Sequence, residues 1–163
     1  MREATYARHM SRHAHGRDLR RGRCSLENQI YMVTAVTYQR MPLFSELMTG
    51  RVVVHEIRRS DLFRQTDTLA FVIMPDHIHW LFTLLPSKSL STVVGSIKRH
   101  SARLLNTDYL PHKSRVWQRG FHDRALRSDE NVLHIARYIV ANPLRAGLVR
   151  RIGDYSLWDA AWL

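Results

Sequence analysis

Two histidines one residue apart, His77 and His79, stand in the stretch M-P-D-H-I-H-W-L-F from Met74 to Phe82. Pro75-Asp76 is a turn signal, and the residues after it alternate as a strand does. Side chains on a strand repeat every two residues, so both imidazoles share one face. Ile78, Trp80, Phe82 and Leu84 share the other, which can pack on a core. Two neutral imidazoles at that spacing form half of a metal site. Spacing alone leaves the pair open to a second reading as ordinary surface histidines. The chain has 10 His, and another H-x-H, His13-Ala14-His15, lacks any apolar alternation and reads as a solvated accident.

Further along, Tyr138 and Asn142 lie one helical turn apart at the margin of an apolar stripe, with His134 and Arg145 beside them. A phenol and a carboxamide oxygen there can face the histidine pair. The plainer readings are a tyrosine packed at a core margin and an asparagine that ends a helix before Pro143.

The elements that must position these groups follow in order. Ile30 to Thr37 is β-branched and aromatic, hence a strand. Ser45 caps a helix to about Ser60, with Leu47, Val53, Val54 and Ile57 as its inner stripe and Gly50 as a weak point. Thr68 to Met74 and the histidine strand to Leu85 pair antiparallel across the short turn. Leu90, Val93, Val94, Ile97 and Leu104 repeat at helical spacing. Ser114 to Leu126 reads as a fourth strand with an irregularity at Gly120. Ser128, with Asp129 and Glu130 after it, starts a last helix whose core face is Val132, Ile135, Ala136, Ile139 and Val140. The order is that of an α+β, ferredoxin-like βαββαβ fold with an additional C-terminal helix carrying the tyrosine. In that topology the histidine strand is central, and its histidines face the side left to the last helix.

Three segments are expected: a basic N-terminal arm over 1–27, one domain over 28–150, and a tail over 151–163 whose Trp158 and Trp162 pack back on the body. A length of 163 residues, with 45% hydrophobic and 24% charged residues, suits a globular domain. The excess of 25 Lys+Arg over 14 Asp+Glu, a net charge of +11, points to a polyanionic partner, nucleic acid first. One cysteine excludes an internal disulfide framework and a cysteine-based zinc cluster, and fits a reducing compartment. No apolar run is long enough to span a bilayer.

Three segments together, M-P-D-H-I-H-W-L-F, W-Q-R-G-F-H-D-R and A-R-Y-I-V-A-N-P-L-R-A-G-L-V, resemble the REP-associated tyrosine transposases, within the single-tyrosine HUH nucleases. The first-strand segment V-T-A-V-T-Y-Q-R-M-P-L-F resembles that family's opening, so the likeness runs from about Tyr31 to Val149. It implies that His77, His79 and Asn142 hold a divalent metal, Mg²⁺ or Mn²⁺, and that Tyr138 is the nucleophile. It implies a substrate of single-stranded DNA carrying a repetitive extragenic palindrome (REP) hairpin, cut through a 5′-phosphotyrosine. A monomer or homodimer in the bacterial cytoplasm, associated with the nucleoid and with no membrane partner, is expected. Arg40, Lys98, Arg99, Arg119 and Arg145 are candidates for DNA contact, and Trp117 reads as core. The proton acceptor for Tyr138 stays open between His134 and a water. A hairpin-binding module that does not cut, and a metal hydrolase using the histidines alone, are the competing readings.

Overall fold

The computed structural model describes residues 26–111 and 114–162; the arm expected over 1–27 lies almost wholly outside them. The elements run β1 (Ile30–Val36), α1 (Leu47–Leu62), β2 (Thr66–Met74), β3 (His77–Leu84), α2 (Leu90–Asp108), β4 (His122–Ala125), α3 (Val132–Val140), α4 (Asn142–Arg145) and β5 (Trp158–Ala160). Short 3-10 turns stand at Tyr38–Arg40, Leu43–Ser45 and Ile152–Asp154.

One sheet of order β4-β1-β3-β2-β5 forms, every pair antiparallel. Its first four strands are in ferredoxin-like order, as expected, and the fifth comes from the C-terminal segment. The histidine strand is central, between β1 and β2. The two sheet faces are covered differently because alternate residues diverge. Tyr31, Val33, Ala35, Phe71, Ile73, Ile78, Trp80, Phe82 and Leu84 join α1 and α2 in one core. Ala70, Val72, Met74, Leu81 and Ala160 meet Ala136, Ile139 and Val140 of α3 in the other. His77 and His79 belong by alternation to this second face. The histidine pair and the tyrosine-bearing helix therefore share one side of the sheet.

Several local expectations need correction. Ser45 does not cap α1: the cap position is Glu46, without a side-chain bond, and Thr49 Oγ1 instead donates to the carbonyls of Leu43 and Glu46. Leu47 is exposed, and Leu105, not Leu104, is the buried leucine late in α2. The strand expected over 114–126 shrinks to β4, preceded by one isolated bridge between Thr37 and Trp117. Gly120 takes a φ of 72° there, and Lys98 Nζ donates to the carbonyls of Gln118 and Gly120. Beyond the bridge, whose backbone bonds run from Tyr38 N–H to Val116 O and from Gln118 N–H to Val36 O, a loop pinned by an ammonium leads to β4. Ser128 does not start α3; Asn131 does, its side chain accepting from the His134 N–H at 3.0 Å. Trp117 is core as expected, 6% exposed, with Nε1 donating to Ser101 Oγ. Trp158 lies in β5, whereas Trp162 is exposed.

Candidate active site

The site is built on a tight hairpin. Met74 pairs with His77 across Pro75-Asp76, so β2 turns directly into the histidine strand. The turn is buttressed from outside: Thr37 N–H and Oγ1 both donate to the Asp76 carbonyl, and the Phe44 N–H donates to that of Pro75. Beyond the turn, the rings of His77 and His79 stand edge to face, their centroids 4.8 Å apart.

Each imidazole is held at Nδ1. His77 Nδ1 donates to Asp76 Oδ1 at 2.5 Å, and Asp76 Oδ2 accepts from Arg40 Nη1 at 2.8 Å. Partial burial pushes the Asp76 carboxyl upward, but the hydrogen bonds and charges of His77 and Arg40 outweigh it and hold it below its ordinary value. An ionised carboxylate only accepts, so a proton sits on His77 Nδ1 and Nε2 is the ring atom left for a ligand. His79 Nδ1 shares a hydrogen bond with Thr34 Oγ1 at 2.9 Å, because β1 and β3 place those residues directly opposite. When Thr34 accepts that bond, His79 too presents Nε2. Burial first, and the neighbouring His77 second, push His79 down to about 4, which keeps it neutral and able to bind a metal near neutral pH. This is the outer-shell bonding that orients metal-binding histidines.

Arg40 reaches Asp76 from strained backbone. Gln39 and Arg40, both non-glycine, have φ values of 52° and 53° in the left-handed region, at a cost of about 1 kcal/mol or more each.

Tyr138 is 47% exposed on α3, and the Arg145 guanidinium lies over its ring at 4.2 Å from the centroid. Ala141 interrupts the helix and Asn142 opens α4, with Pro143 in the first turn, where a proline is tolerated. Asn142 Nδ2 donates to the carbonyls of Tyr138 and Ile139, so of its two polar atoms Oδ1 is the one that can bind a cation. Among the described residues, no three His, Cys, Asp or Glu side chains converge as a ligand cluster.

Of the candidate DNA contacts, Arg40 lies at the histidine turn and Arg145 at the tyrosine. Lys98 and Arg99 lie on α2, across the sheet from the histidines, and Arg119 is exposed in the loop that Lys98 pins. Asp76, Thr34 and His122 were not singled out from sequence. Asp76 reads there only as a turn residue, although its place beside His77 was visible. The part of Thr34 depends on register, which one sequence does not display. His122 pairs with Thr34 on its other side, in the same row of the sheet as His79.

Comparison with known proteins places this arrangement among relatives. The family model described as IS200-like transposase matches residues 25–142. The chain is 27% identical over 117 residues to a REP-associated tyrosine transposase of Escherichia coli, covering 68% of this chain and 66% of that one. It is 26% identical over 134 residues to an uncharacterized protein of Haemophilus influenzae, covering 61% of this chain and 74% of that one. The match thus spans just under two thirds of the Escherichia coli relative's length. In fold it is similar to a REP-associated tyrosine transposase solved bound to a REP hairpin, with a TM-score of 0.68 at 22% identity over 83% of this chain and 79% of that one. Among the described residues no helix is long and apolar enough to cross a membrane.

Proposed function

Because the chain belongs to the IS200-like transposase family, and resembles REP-associated tyrosine transposases, we propose that it cuts and rejoins single-stranded DNA beside a REP hairpin through a covalent tyrosine intermediate. The observation that carries this reading is the pair of hydrogen bonds, to Asp76 and with Thr34, that engages each histidine at Nδ1; with both rings donating there, each Nε2 is the ligand atom. Asn142 Oδ1 completes the donor set. Two imidazoles and one amide oxygen fit a divalent cation with open positions for phosphate and water; Mg²⁺ and Mn²⁺ both qualify, and the softer imidazoles favour Mn²⁺. When bound, such a cation neutralises the phosphate charge that repels a nucleophile.

The protein's own part is transfer. Tyr138 loses its phenolic proton as its Oη–P bond forms and the P–O3′ bond breaks, leaving a 5′-phosphotyrosine and a free 3′ end. The bond energy is kept in the adduct, so a second 3′-OH reverses the step and joins strands. His134, exposed on α3, and a water are the candidate acceptors of the phenolic proton. The net charge of +11 draws phosphates to the surface, with Arg40, Arg99, Arg119 and Arg145 as proposed contacts, while Lys98 is engaged by the carbonyls of Gln118 and Gly120. Such a protein acts at the nucleoid.

The test is a denaturing gel with a labelled single-stranded hairpin library in Mn²⁺ and in EDTA. A metal-dependent, protease-sensitive covalent band, absent in Tyr138→Phe, is expected. Tight hairpin binding without a band in any metal would make the protein a binder that does not cut.

A further inference from the structure

The sheet order sets a direction across the site. Helix α3, with Tyr138, packs over β2 and β5 and reaches the near side of β3. On the far side of the histidine strand come β1 and then β4. Residues directly opposite in an antiparallel pair project to the same face. Thr34 is opposite both His79 and His122, so His122, Thr34 and His79 form one row on the face that α3 shares. Two strand spacings, about 10 Å, separate the Cα atoms of His79 and His122. His122 is exposed. The next residue on that face of β4, Arg124, is tied to Glu130 at 2.7 Å, and the Thr34 hydroxyl is engaged by His79.

Displacement at phosphorus is in line: the attacking and leaving oxygens lie on opposite sides. With the phenol arriving from the α3 flank, the 3′ oxygen of a phosphodiester lying over His77 and His79 leaves toward β1 and β4. From this geometry we infer that His122 gives a proton to the leaving 3′ oxygen when the strand is cut and takes it back when the strand is rejoined. The inference rests on the tyrosine-transfer reading above. The Tyr138 Oη–P bond forms, the P–O3′ bond breaks, and the proton on the His122 ring passes to O3′. In the reverse direction the neutral ring accepts the proton of the attacking 3′-OH. An imidazole can do both near neutral pH.

The test uses a hairpin that the wild-type protein cuts, made with oxygen or with bridging sulfur at the 3′ position of the cut junction. Sulfur leaves as a thiolate and needs no proton. Single-turnover adduct formation in Mn²⁺ is measured for wild type, His122→Ala, His122→Asn and Tyr138→Phe, with hairpin affinity by fluorescence anisotropy in EDTA. Both His122 variants should bind the hairpin normally and cut the oxygen substrate about 100-fold or more slowly. On the sulfur substrate they should recover to near the wild-type rate. A wild-type rate on oxygen, or an equal defect on both substrates, would overturn the role of His122 while leaving the tyrosine reading intact. If wild type formed an adduct with neither substrate, or Tyr138→Phe formed one, the tyrosine reading would fail and this inference with it.

Discussion

Asp76 Oδ1 and His77 Nδ1 lie 2.5 Å apart across a single peptide bond, so one residue orients the next. The carboxylate permits only one tautomer of the ring. Asp76→Asn breaks this constraint, because an amide can turn its NH₂ toward Nδ1 and leave the proton at Nε2. Asp76→Asn should bind Mn²⁺ about 10- to 100-fold more weakly, measured by titration calorimetry. Unchanged affinity would show that Asp76 serves the turn alone.

The metal-free protein should lose stability in mild acid. In the unfolded chain His79 titrates near 6.5, whereas in the fold it is pushed down to about 4. Between those values the unfolded state binds more protons, so stability falls as pH is lowered through the window and the loss is complete below about 4. The ceiling is about 3 kcal/mol. Asp76, held below its ordinary value, contributes stability that is lost only as pH falls further, through its own folded-state value. Urea midpoints from pH 7 to 4 check this. His79→Gln should flatten the slope, and an unaltered slope would assign it to another group.

Lys98 and Arg119 are both cations near the same loop, yet they should behave differently. Lys98 Nζ donates to Gln118 O at 2.8 Å and also to Gly120 O. Lys98→Ala should cost about 1–3 kcal/mol of stability and leave the salt dependence of DNA binding unchanged. Arg119→Ala should leave stability alone and lower the salt slope by about 1. A reversal of these two patterns would make Lys98 the phosphate contact.

Gly50 looks like a defect in α1, but Leu157 explains it. A Cβ at Gly50 would overlap Leu157 Cδ1 and lie 3.1 Å from Cδ2 and 3.3 Å from Cγ, and Leu157 is itself buried in the core. Gly50→Ala gains about 1 kcal/mol of helix propensity and incurs about 1–3 kcal/mol of overpacking. A net loss is expected in chemical denaturation, turning to a gain when Leu157→Ala is also present. A gain in both backgrounds would show that the segment around Leu157 yields freely.

Much of this architecture was legible because burial writes a period into the chain. The alternation from Ile78 to Leu84 identified a strand, and the strand–helix order made it central in the sheet. Where hydrophobic residues serve packing without pairing, the reading failed: Val116 and Trp117 are buried, yet only one bridge forms there. Ser128 and Asn131 are equally good caps on propensity, and only the fold selects between them. His77 and His79 stood out by spacing. The roles proposed for Tyr138 and Asn142 came from resemblance, and the support from Thr34 depends on strand register, which is a long-range property.

The hairpin that carries Asp76, His77 and His79 closes through two residues, whereas Tyr138 must be brought in by packing between distant segments, including β5. Contacts close in sequence form early in folding, and distant ones wait on loop closure. The histidine turn is thus a local property of the chain, whereas Thr34, Asn142 and Tyr138 join it only through the global fold. On the proposed reading, a molecule caught half-folded, or loosened by heat, keeps the histidine turn but has neither the third ligand nor the nucleophile in place, so its failure is silent and spares the DNA.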